Sequence, residues 1–324
     1  MYSNNTDISL SLAVFFATDT YDHNDDPNHI SATALLKPLR QIILSSRCKP
    51  EDSIVDLSSL VPSRIGTAIH DGLESAWKNN YKDALKALGY PENIINKIII
   101  NPKPEELNES MIPIYLENRM SKTIEGINIS GKYDFVIEGK LEDLKTTSVY
   151  TYINKTKDED YILQGSIYRW LDPEVITSDE FSIQYIFTDW SFGQLKANSN
   201  YPPKKVMKES FKLLPLEETE RFIKNKINLI QLHLDTPETE LPLCSDKELW
   251  RRDPVWKYYK NPNSTARSTK NFTDELSAIN RMADDKNVGK VVHFPGEVVA
   301  CKYCNVFQIC TQKDQLILDG SLKL

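Results

Sequence analysis

The sequence has little of several features that mark large classes of protein. Its five cysteines in 324 residues are too few for a secreted disulfide scaffold. The longest apolar run near the start, SLSLAVFFA, has no basic leader and is too short to span a bilayer. Basic residues are not in excess, since the formal net charge is −7, and this argues against a protein that coats nucleic acid over its whole surface. We therefore expect a cytoplasmic protein without a membrane segment.

The remaining composition is that of a globular chain, and its length predicts one large domain or two. Ser31 is placed to cap a helix over ATALLKPLRQIILSS. A longer helix is expected after Gly66, because apolar side chains recur there at helical spacing. The stripe consists of Ile69, Leu73, Ala76 and Trp77.

Strand patterns begin after these helices. They cover IPIYLENRM, TIEGINIS and KYDFVIEGKLEDLKTT, and a helix over DEDYILQGSIYRWL separates them from a further strand, FSIQYIFTDW. An amphipathic helix over LEETERFIKNKINLIQLHL then leads into a region rich in Trp, Pro and Cys with little strand signal. We place a domain boundary near residue 240, which predicts one domain of 1–240 and a second of 241–324.

The segment KYDFVIEGKLEDLKTT predicts a hairpin that gathers charged side chains. Glu138 and Gly139 suit a two-residue turn, which places Asp134 opposite Asp143. Alternate residues share a face of a strand, so Lys145 joins these two carboxylates. Tyr133, Phe135 and Leu144 are then expected on the other face. Two close carboxylates repel, and a divalent cation such as Mg²⁺ or Mn²⁺ compensates them; the alternative is a surface hairpin with an ordinary salt bridge.

Two further signals flank the hairpin. His70 lies on the helix before it, and Gln164 and Tyr168 lie four residues apart, on one face of the helix after it. Taken alone, a histidine on a helix is more often a packed or capping side chain, and a Gln/Tyr pair is more often part of a partly buried surface. Their fixed order around the hairpin favours a shared site.

The order of these motifs resembles the PD-(D/E)XK nuclease superfamily, in particular its RecB-like branch. The four motifs are G-x-x-x-H at Gly66–His70, G-x-x-D at Gly131–Asp134, D-x-K-T at Asp143–Thr146 and Q-x-x-x-Y at Gln164–Tyr168. The resemblance covers residues 31 to about 190. It implies an α/β fold with a restriction-endonuclease-like core, in which helices flank a mixed central sheet, followed here by a Cys-rich C-terminal extension.

The resemblance also implies roles for individual residues. Mg²⁺ or Mn²⁺ would be held by His70, Asp134, Asp143 and the backbone carbonyl of Leu144. Lys145 would assist the attacking water, while Gln164 and Tyr168 would steady the scissile phosphate or the lysine. Glu117, in the strand YLENRM, is an additional acidic candidate. Glu142 is an alternative to Asp143, but the alternation of the strand turns it to the wrong face.

The C-terminal cysteines form a second motif. Cys301, Cys304 and Cys310 have the C-x2-C-x5-C spacing with which some RecB-like nucleases hold a 4Fe-4S cluster, and thiolates suit zinc as well. In those relatives the fourth ligand corresponds to Lys37, which is not a cysteine. Cys244 is our preferred fourth ligand because LPLCSDKELW resembles a segment of phage-type RecB-like exonucleases. Cys48 is the alternative.

Basic and aromatic residues alternate between Cys244 and the last cysteines, in KELWRRDPVWKYYKNPNSTARSTKNF. Such a mixture suits single-stranded DNA, since cations neutralise phosphates and aromatic rings stack on bases. The candidates are Arg251, Arg252, Lys257, Lys260, Arg267 and Lys270. A solvated loop with aromatic side chains packed beneath it is the alternative.

Taken together, the sequence predicts a metal-dependent deoxyribonuclease, in particular an exonuclease on DNA ends in phage DNA processing or recombination. The resemblance leaves room for a helicase or recombinase partner, which the sequence does not identify. Two alternatives remain open. One is a catalytically inactive nuclease fold that binds DNA as a scaffold, and the other is a zinc-stabilised nucleic-acid-binding module.

Overall fold

A computed structural model describes residues 2–19, 24, 26, 28–48, 55–264 and 266–323 of the protein. They divide into two compact units, a larger one within 2–37 and 55–228 and a smaller one within 38–54 and 229–324. Throughout the described residues, every helix is too short or too polar to cross a membrane.

The larger unit is built on a mixed seven-stranded sheet. Its strands are β2 (His29–Ser31), β4 (Ile98–Ile100), β5 (Ile112–Ile124), β6 (Ile127–Ile137), β7 (Lys140–Thr147), β8 (Glu180–Phe187) and β9 (Val206–Lys212), and a separate pair is β1 (Tyr2–Ser3) with β3 (Val55–Asp56). The main path runs β4-β5-β6-β7-β8-β9, with β2 added to β6. The β4–β5, β7–β8 and β2–β6 pairs are parallel and the others antiparallel. The expected mixed α/β architecture is confirmed.

Helices accompany this sheet along the chain. They are α1 (Leu10–Ala17), α2 (Ala32–Leu35), α4 (Leu57–Ala87), α5 (Glu92–Ile95), α6 (Val149–Asn154), α7 (Asp158–Leu171), α8 (Phe192–Ala197) and α9 (Leu216–His233), while α3 (Leu39–Arg47) belongs to the smaller unit. The predicted cap is confirmed, since Ser31 Oγ accepts from Ala34 N at 3.2 Å. The single helix predicted after it is wrong, because Pro38 lacks an N–H and disfavours helix at Lys37, so that α2 ends first.

Two tight hairpins connect the three central strands. The turn between β6 and β7 has φ of 49° at Glu138 and 74° at Gly139, which confirms the predicted two-residue turn. Glu125 and Gly126 form the same kind of turn between β5 and β6, with φ of 47° and 76°. The prediction of one strand through TIEGINIS was therefore wrong.

The two faces of the sheet bury separate apolar clusters. The larger cluster includes Tyr133, Phe181 and Tyr185 of the strands with Ile167 and Trp170 of α7. On the other face, Ile114, Leu116 and Phe135 pack together with Trp77 of α4. Because α7 and α4 each pack on a cluster of their own, side chains from both helices reach the central strands.

The smaller unit contains an antiparallel sheet that the sequence analysis missed. Its strands are β10 (Val255–Tyr259), β11 (Lys270–Phe272) and β12 (Lys290–Phe294), in the order β11-β10-β12, and its later helices are α10 (Glu275–Asp284) and α11 (Gln312–Leu318). The expectation of little strand here was wrong because these strands have only three to five residues and carry lysines. Leu249, Val298, Leu316 and Leu322 form the core beside Cys244 and Cys301.

Candidate active site

The central sheet divides at Asp134. One edge of β6 pairs with β2 over Asn128–Ser130 and with β7 from Phe135 onward. Residues 131–134 lie between the two partners, without a strand pair on that edge. A side chain at this position is therefore set into a gap in the hydrogen-bonded ladder.

Gly131 allows α7 to approach this gap closely. A Cβ at Gly131 would lie 2.8 Å from Cε1 of Tyr168 and 2.9 Å from Cδ1 of Leu171, and real Cβ atoms essentially never come that near. Only glycine lets the helix pack at this distance. The glycine of the G-x-x-D motif thus positions Tyr168 beside the strand that carries Asp134.

The strands also change face at the gap. The rings of Tyr133 and Tyr168 lie 6.4 Å apart on the α7 side, whereas the ring of Phe135 lies 5.1 Å from that of Trp77 on the α4 side. Residues two apart normally share a face, so the shared face predicted for Tyr133 and Phe135 was wrong. On the neighbouring strand the local cause is Glu117, whose φ of 47° is unusual for a non-glycine residue.

Three potential metal ligands converge where the strands change face. His70 Nδ1 lies 3.4 Å from Asp134 Oδ1 and 3.6 Å from Glu117 Oε1. One ligand atom from each residue lies within 4.8 Å of the other two, and within the described parts of the chain no other three His, Cys, Asp or Glu residues meet this condition. We call His70, Glu117 and Asp134 the triad.

Local packing fixes each member of the triad. His70 extends from α4, and a Cβ at Gly66 of this helix would lie 3.1 Å from Thr146 Oγ1 of β7, so glycine allows close contact there. Asp134 Oδ2 accepts from Leu144 N at 2.7 Å. Hydrogen bonds to Asp134 and then Glu117 raise the pKa of His70 to about 10.

A second chain of polar groups runs from β7 to α7. Lys145 Nζ lies 2.6 Å from Asp143 Oδ2 and donates to Gln164 Oε1 at 3.1 Å. Gln164 Nε2 in turn donates to the hydroxyl of Tyr168 at 2.7 Å. The structure therefore brings together all four residues that the D-x-K and Q-x-x-x-Y motifs contribute.

Burial determines the charges in this chain. It raises the pKa of Asp143, whose side chain is 5% exposed, although Lys145 opposes the shift. Burial would lower the pKa of Lys145, but the charges of Asp143 and Asp134 outweigh it and raise the value. Lys145 is consequently a cation with its ammonium held in one place.

Some predicted assignments differ from this geometry. Asp143 contacts Lys145 and is not in the triad, and Glu117, the additional acidic candidate, stands there with His70 and Asp134. Leu144 donates its N–H to Asp134, while the ion-binding role of its carbonyl stays a prediction. Glu142 pairs with Lys208 at 2.5 Å. The signal for Glu117 in the sequence was only an acidic residue inside a strand.

The cysteines of the smaller unit lie in a partly buried environment. None of the five forms a disulfide, and all five belong to the described residues. Burial, then Glu248, Cys310 and Cys304, raise the pKa of Cys244 to about 12. Burial followed by Cys304 and Cys310 raises the pKa of Cys301 to about 11. These mutual effects place the four thiols in one neighbourhood, whereas the ligand role of Cys48 stays a prediction.

Two polar side chains hold this neighbourhood. Gln312 accepts from Cys244 N at 2.9 Å and donates to Cys244 O at 3.0 Å. The buried Arg40 donates from Nε to Cys310 Sγ at 3.2 Å and also pairs with Glu238. Gln312 thus holds the backbone at Cys244, and Arg40 holds the side chain of Cys310.

The candidate DNA-binding residues lie in varied settings. Arg251 pairs with Asp246 at 2.6 Å and donates to Gly296 O and Ser321 Oγ, so its guanidinium holds the local fold together. Tyr258 and Tyr259 are buried. Two further candidates form ion pairs, Arg252 with Glu297 and Lys260 with Asp285. Two others place their ammonium groups over aromatic rings, Lys257 over Phe294 and Lys270 over Phe272. The side chain of Arg267 is exposed. Their role toward DNA stays a prediction.

No family profile and no curated protein matches the chain. Among solved structures, that of a protein with a locus number as its name has a TM-score of 0.40 and 17% identity to this chain. The match covers 64% of this chain and 79% of the other. A phage-related exonuclease from Haemophilus somnus 129PT has a TM-score of 0.27 and 15% identity, over 40% of this chain and 63% of its own, less than two thirds of its length. A provisionally named exonuclease from Eubacterium rectale has a TM-score of 0.35 and 12% identity, over 70% of this chain and 96% of its own. These likenesses are distant, so function is inferred from the site itself.

Proposed function

We propose that the protein is a metal-dependent deoxyribonuclease that hydrolyses phosphodiester bonds of DNA, acting as an exonuclease in DNA processing or recombination. One observation carries the proposal. Glu117 and Asp134 of the triad lie on β5 and β6, and His70 reaches them from α4. The Asp143–Lys145 pair lies on β7, the next strand of the sheet, so a cation site and a fixed ammonium flank the gap. Hydrolysis of a phosphodiester needs such positive charge around the phosphoryl oxygens.

The residues of the triad fit a divalent cation. Two carboxylates and one imidazole offer ligand atoms within 4.8 Å of one another, and such oxygen-rich donor sets suit Mg²⁺ or Mn²⁺. When bound, the ion would supply charge stabilisation and a more acidic water. Asp134 keeps its orientation because Leu144 N occupies its second oxygen. In this proposal Glu117 takes the place expected for Asp143.

Lys145 acts as a fixed positive charge in the proposed reaction. Its pKa is raised by Asp143 and Asp134, so it donates hydrogen bonds and does not serve as a base. Asp143 and Gln164 hold the ammonium from two directions, and Tyr168 fixes Gln164. An ammonium oriented in this way stabilises the charge that grows on the phosphoryl oxygens in the transition state.

We further propose that Cys244, Cys301, Cys304 and Cys310 bind a 4Fe-4S cluster, with zinc as the alternative. The effects of these thiols on one another's pKa support a shared site. Cysteine thiolates suit both an iron–sulfur cluster and zinc. Measurement of iron and zinc in anaerobically purified protein separates the two.

The activity is tested with end-labelled linear DNA and covalently closed circular DNA, each with Mg²⁺, with Mn²⁺ and with a chelator. We expect the linear substrate to be shortened from its ends when either ion is present and to stay intact with the chelator. Covalently closed circular DNA, which has no ends, should not be cleaved. Cleavage in the chelator would overturn the metal dependence, and absence of cleavage in every condition would overturn the nuclease.

A further inference from the structure

Two cations stand side by side next to the triad. Lys132 of β6 lies directly across the ladder from Arg119 of β5, and both residues are exposed. Like charges directly opposite on neighbouring strands repel each other and destabilise a sheet. Burial and, to a smaller extent, the charge of Arg119 lower the pKa of Lys132, but its pairing with Glu117 outweighs both and raises the value. Two positive charges therefore lie next to each other on the strands that carry Glu117 and Asp134.

Lys132 connects the surface to the triad. Its ammonium pairs with Glu117 Oε2, while the other oxygen of Glu117 faces His70. The Lys132 side chain is 43% exposed, compared with 9% for Glu117. The carboxylate is therefore buried in the site, and the ammonium lies at its opening, two residues before Asp134 along β6.

The charges of the site show what this pair supplies. The three carboxylates of Glu117, Asp134 and Asp143 are balanced by Lys145 together with one divalent ion. With His70 neutral, as a ligand of that ion must be, the residues at the centre then carry no net charge for an anionic substrate to meet. Glu74 of α4, which also acts on Lys132, is itself paired with Lys78 at 2.5 Å. Lys132 and Arg119 add two positive charges where a polyanion needs them.

We propose that Lys132 and Arg119 form a binding site for a DNA phosphate that adjoins the phosphate being cleaved. This inference rests on the proposed nuclease function and adds a substrate-binding site to it. Lys132 has a second effect, because it and a cation in the triad compete for the charge of Glu117. Removing the ammonium should therefore strengthen ion binding while it weakens DNA binding. A purely structural lysine, which merely holds Glu117 in place, would weaken both.

The test uses the full chain and the variants Lys132→Gln, Lys132→Arg and Arg119→Gln. Lys208→Gln is the matched control, because Lys208 is half-exposed, lies in the same sheet and also pairs with a carboxylate, that of Glu142. Mn²⁺ affinity is measured by calorimetry without DNA. DNA affinity is measured by fluorescence anisotropy on a labelled duplex over a series of salt concentrations, with each variant combined with Lys145→Gln to prevent cleavage.

We expect Lys132→Gln to tighten Mn²⁺ binding roughly two- to fivefold, as loss of a partly exposed ion pair permits. DNA binding should weaken about tenfold, and the slope of affinity against salt should fall by about one. Arg119→Gln should also weaken DNA binding and lower the salt slope. Lys132→Arg should keep the DNA affinity of the parent protein. The Lys208→Gln control should change neither Mn²⁺ affinity nor DNA affinity.

Two results would overturn the inference. One is weaker Mn²⁺ binding in Lys132→Gln, and the other is DNA affinity and a salt slope equal to those of the Lys208→Gln control. Cleavage by the parent protein is assayed in parallel. If that protein cleaves DNA while the variants bind it normally, only the phosphate site fails; if it neither cleaves nor binds DNA, the proposed function fails.

Discussion

The carboxylate of Asp134 accepts a hydrogen bond from the backbone N–H of Leu144 at 2.7 Å, across the gap between β6 and β7. The side chain thus replaces a backbone partner where the two strands no longer pair. Its other oxygen faces His70. One residue therefore closes the ladder and contributes to the proposed cation site.

Substitutions of Asp134 should separate these two roles. Asp134→Asn retains an oxygen that can accept from Leu144 N, so the free energy of unfolding should change little while Mn²⁺ affinity is lost. Asp134→Ala leaves the N–H without its partner and should also destabilise the protein by about 1–3 kcal/mol. Denaturant unfolding and calorimetry measure the two quantities. Equal destabilisation by both variants would contradict the structural role.

Glu117 should contribute to the cation site directly. We expect Glu117→Gln to weaken Mn²⁺ binding at least about tenfold, since even indirect partners of metal ligands commonly matter that much. Glu142→Gln is the control, because Glu142 is also a strand glutamate paired with a lysine but is not in the triad. Unchanged affinity in Glu117→Gln would remove Glu117 from the site and return Asp143 to it.

Lys145 should be required for the rate of cleavage. Lys145→Gln removes the charge and keeps an amide that can donate to Asp143, which avoids leaving a buried carboxylate without a donor. We expect kcat to fall about 10²–10³-fold with the melting temperature nearly unchanged. Lys208→Gln is the matched control on the same sheet. Full activity in Lys145→Gln, measured on end-labelled DNA, would refute the proposed role.

The local parts of the site could be predicted from the sequence. The Glu138–Gly139 turn is encoded by adjacent residues, and the i, i+4 spacing of Gln164 and Tyr168 is a property of one helix. These two predictions are confirmed because short-range geometry determines both features. The turn joins β6 to β7, and α7 brings Gln164 to Lys145 of β7.

The face of each strand residue could not be predicted in the same way. Strict alternation placed Tyr133 and Phe135 together, but the left-handed backbone at Glu117 and the gap at Asp134 separate them. Strict alternation assumes extended backbone at every strand residue, so it does not predict a positive φ at a glutamate. The structure brings Glu117 together with His70 and Asp134, while the predicted ligand role of Asp143 stays a prediction.

The fourth cysteine ligand can be identified by metal content. Cys244→Ser should lower the iron of anaerobically purified protein and its visible absorbance, because this thiol lies near Cys304 and Cys310. Cys48→Ser should leave both unchanged. Zinc is measured in the same samples. Zinc without iron in the parent protein would show that the cysteines bind zinc and not a 4Fe-4S cluster. Loss of iron in Cys48→Ser alone would exchange the two assignments.

Two glycines of the larger unit offer a matched test of how the site is packed. Gly131→Ala would place a Cβ 2.8 Å from Tyr168, so the ring must move or the helix must shift, and we expect a destabilisation of about 1–3 kcal/mol. Gly72→Ala in α4 meets nothing within 4 Å and should instead stabilise the protein by about 0.5–1 kcal/mol, because alanine favours a helix. Unfolding in denaturant measures both changes. Displacement of Tyr168 also frees Gln164, so Gly131→Ala should lower kcat as well, whereas Gly72→Ala should not. A Gly131→Ala protein with unchanged stability and rate would show that α7 does not pack against β6 as closely as the structure has it.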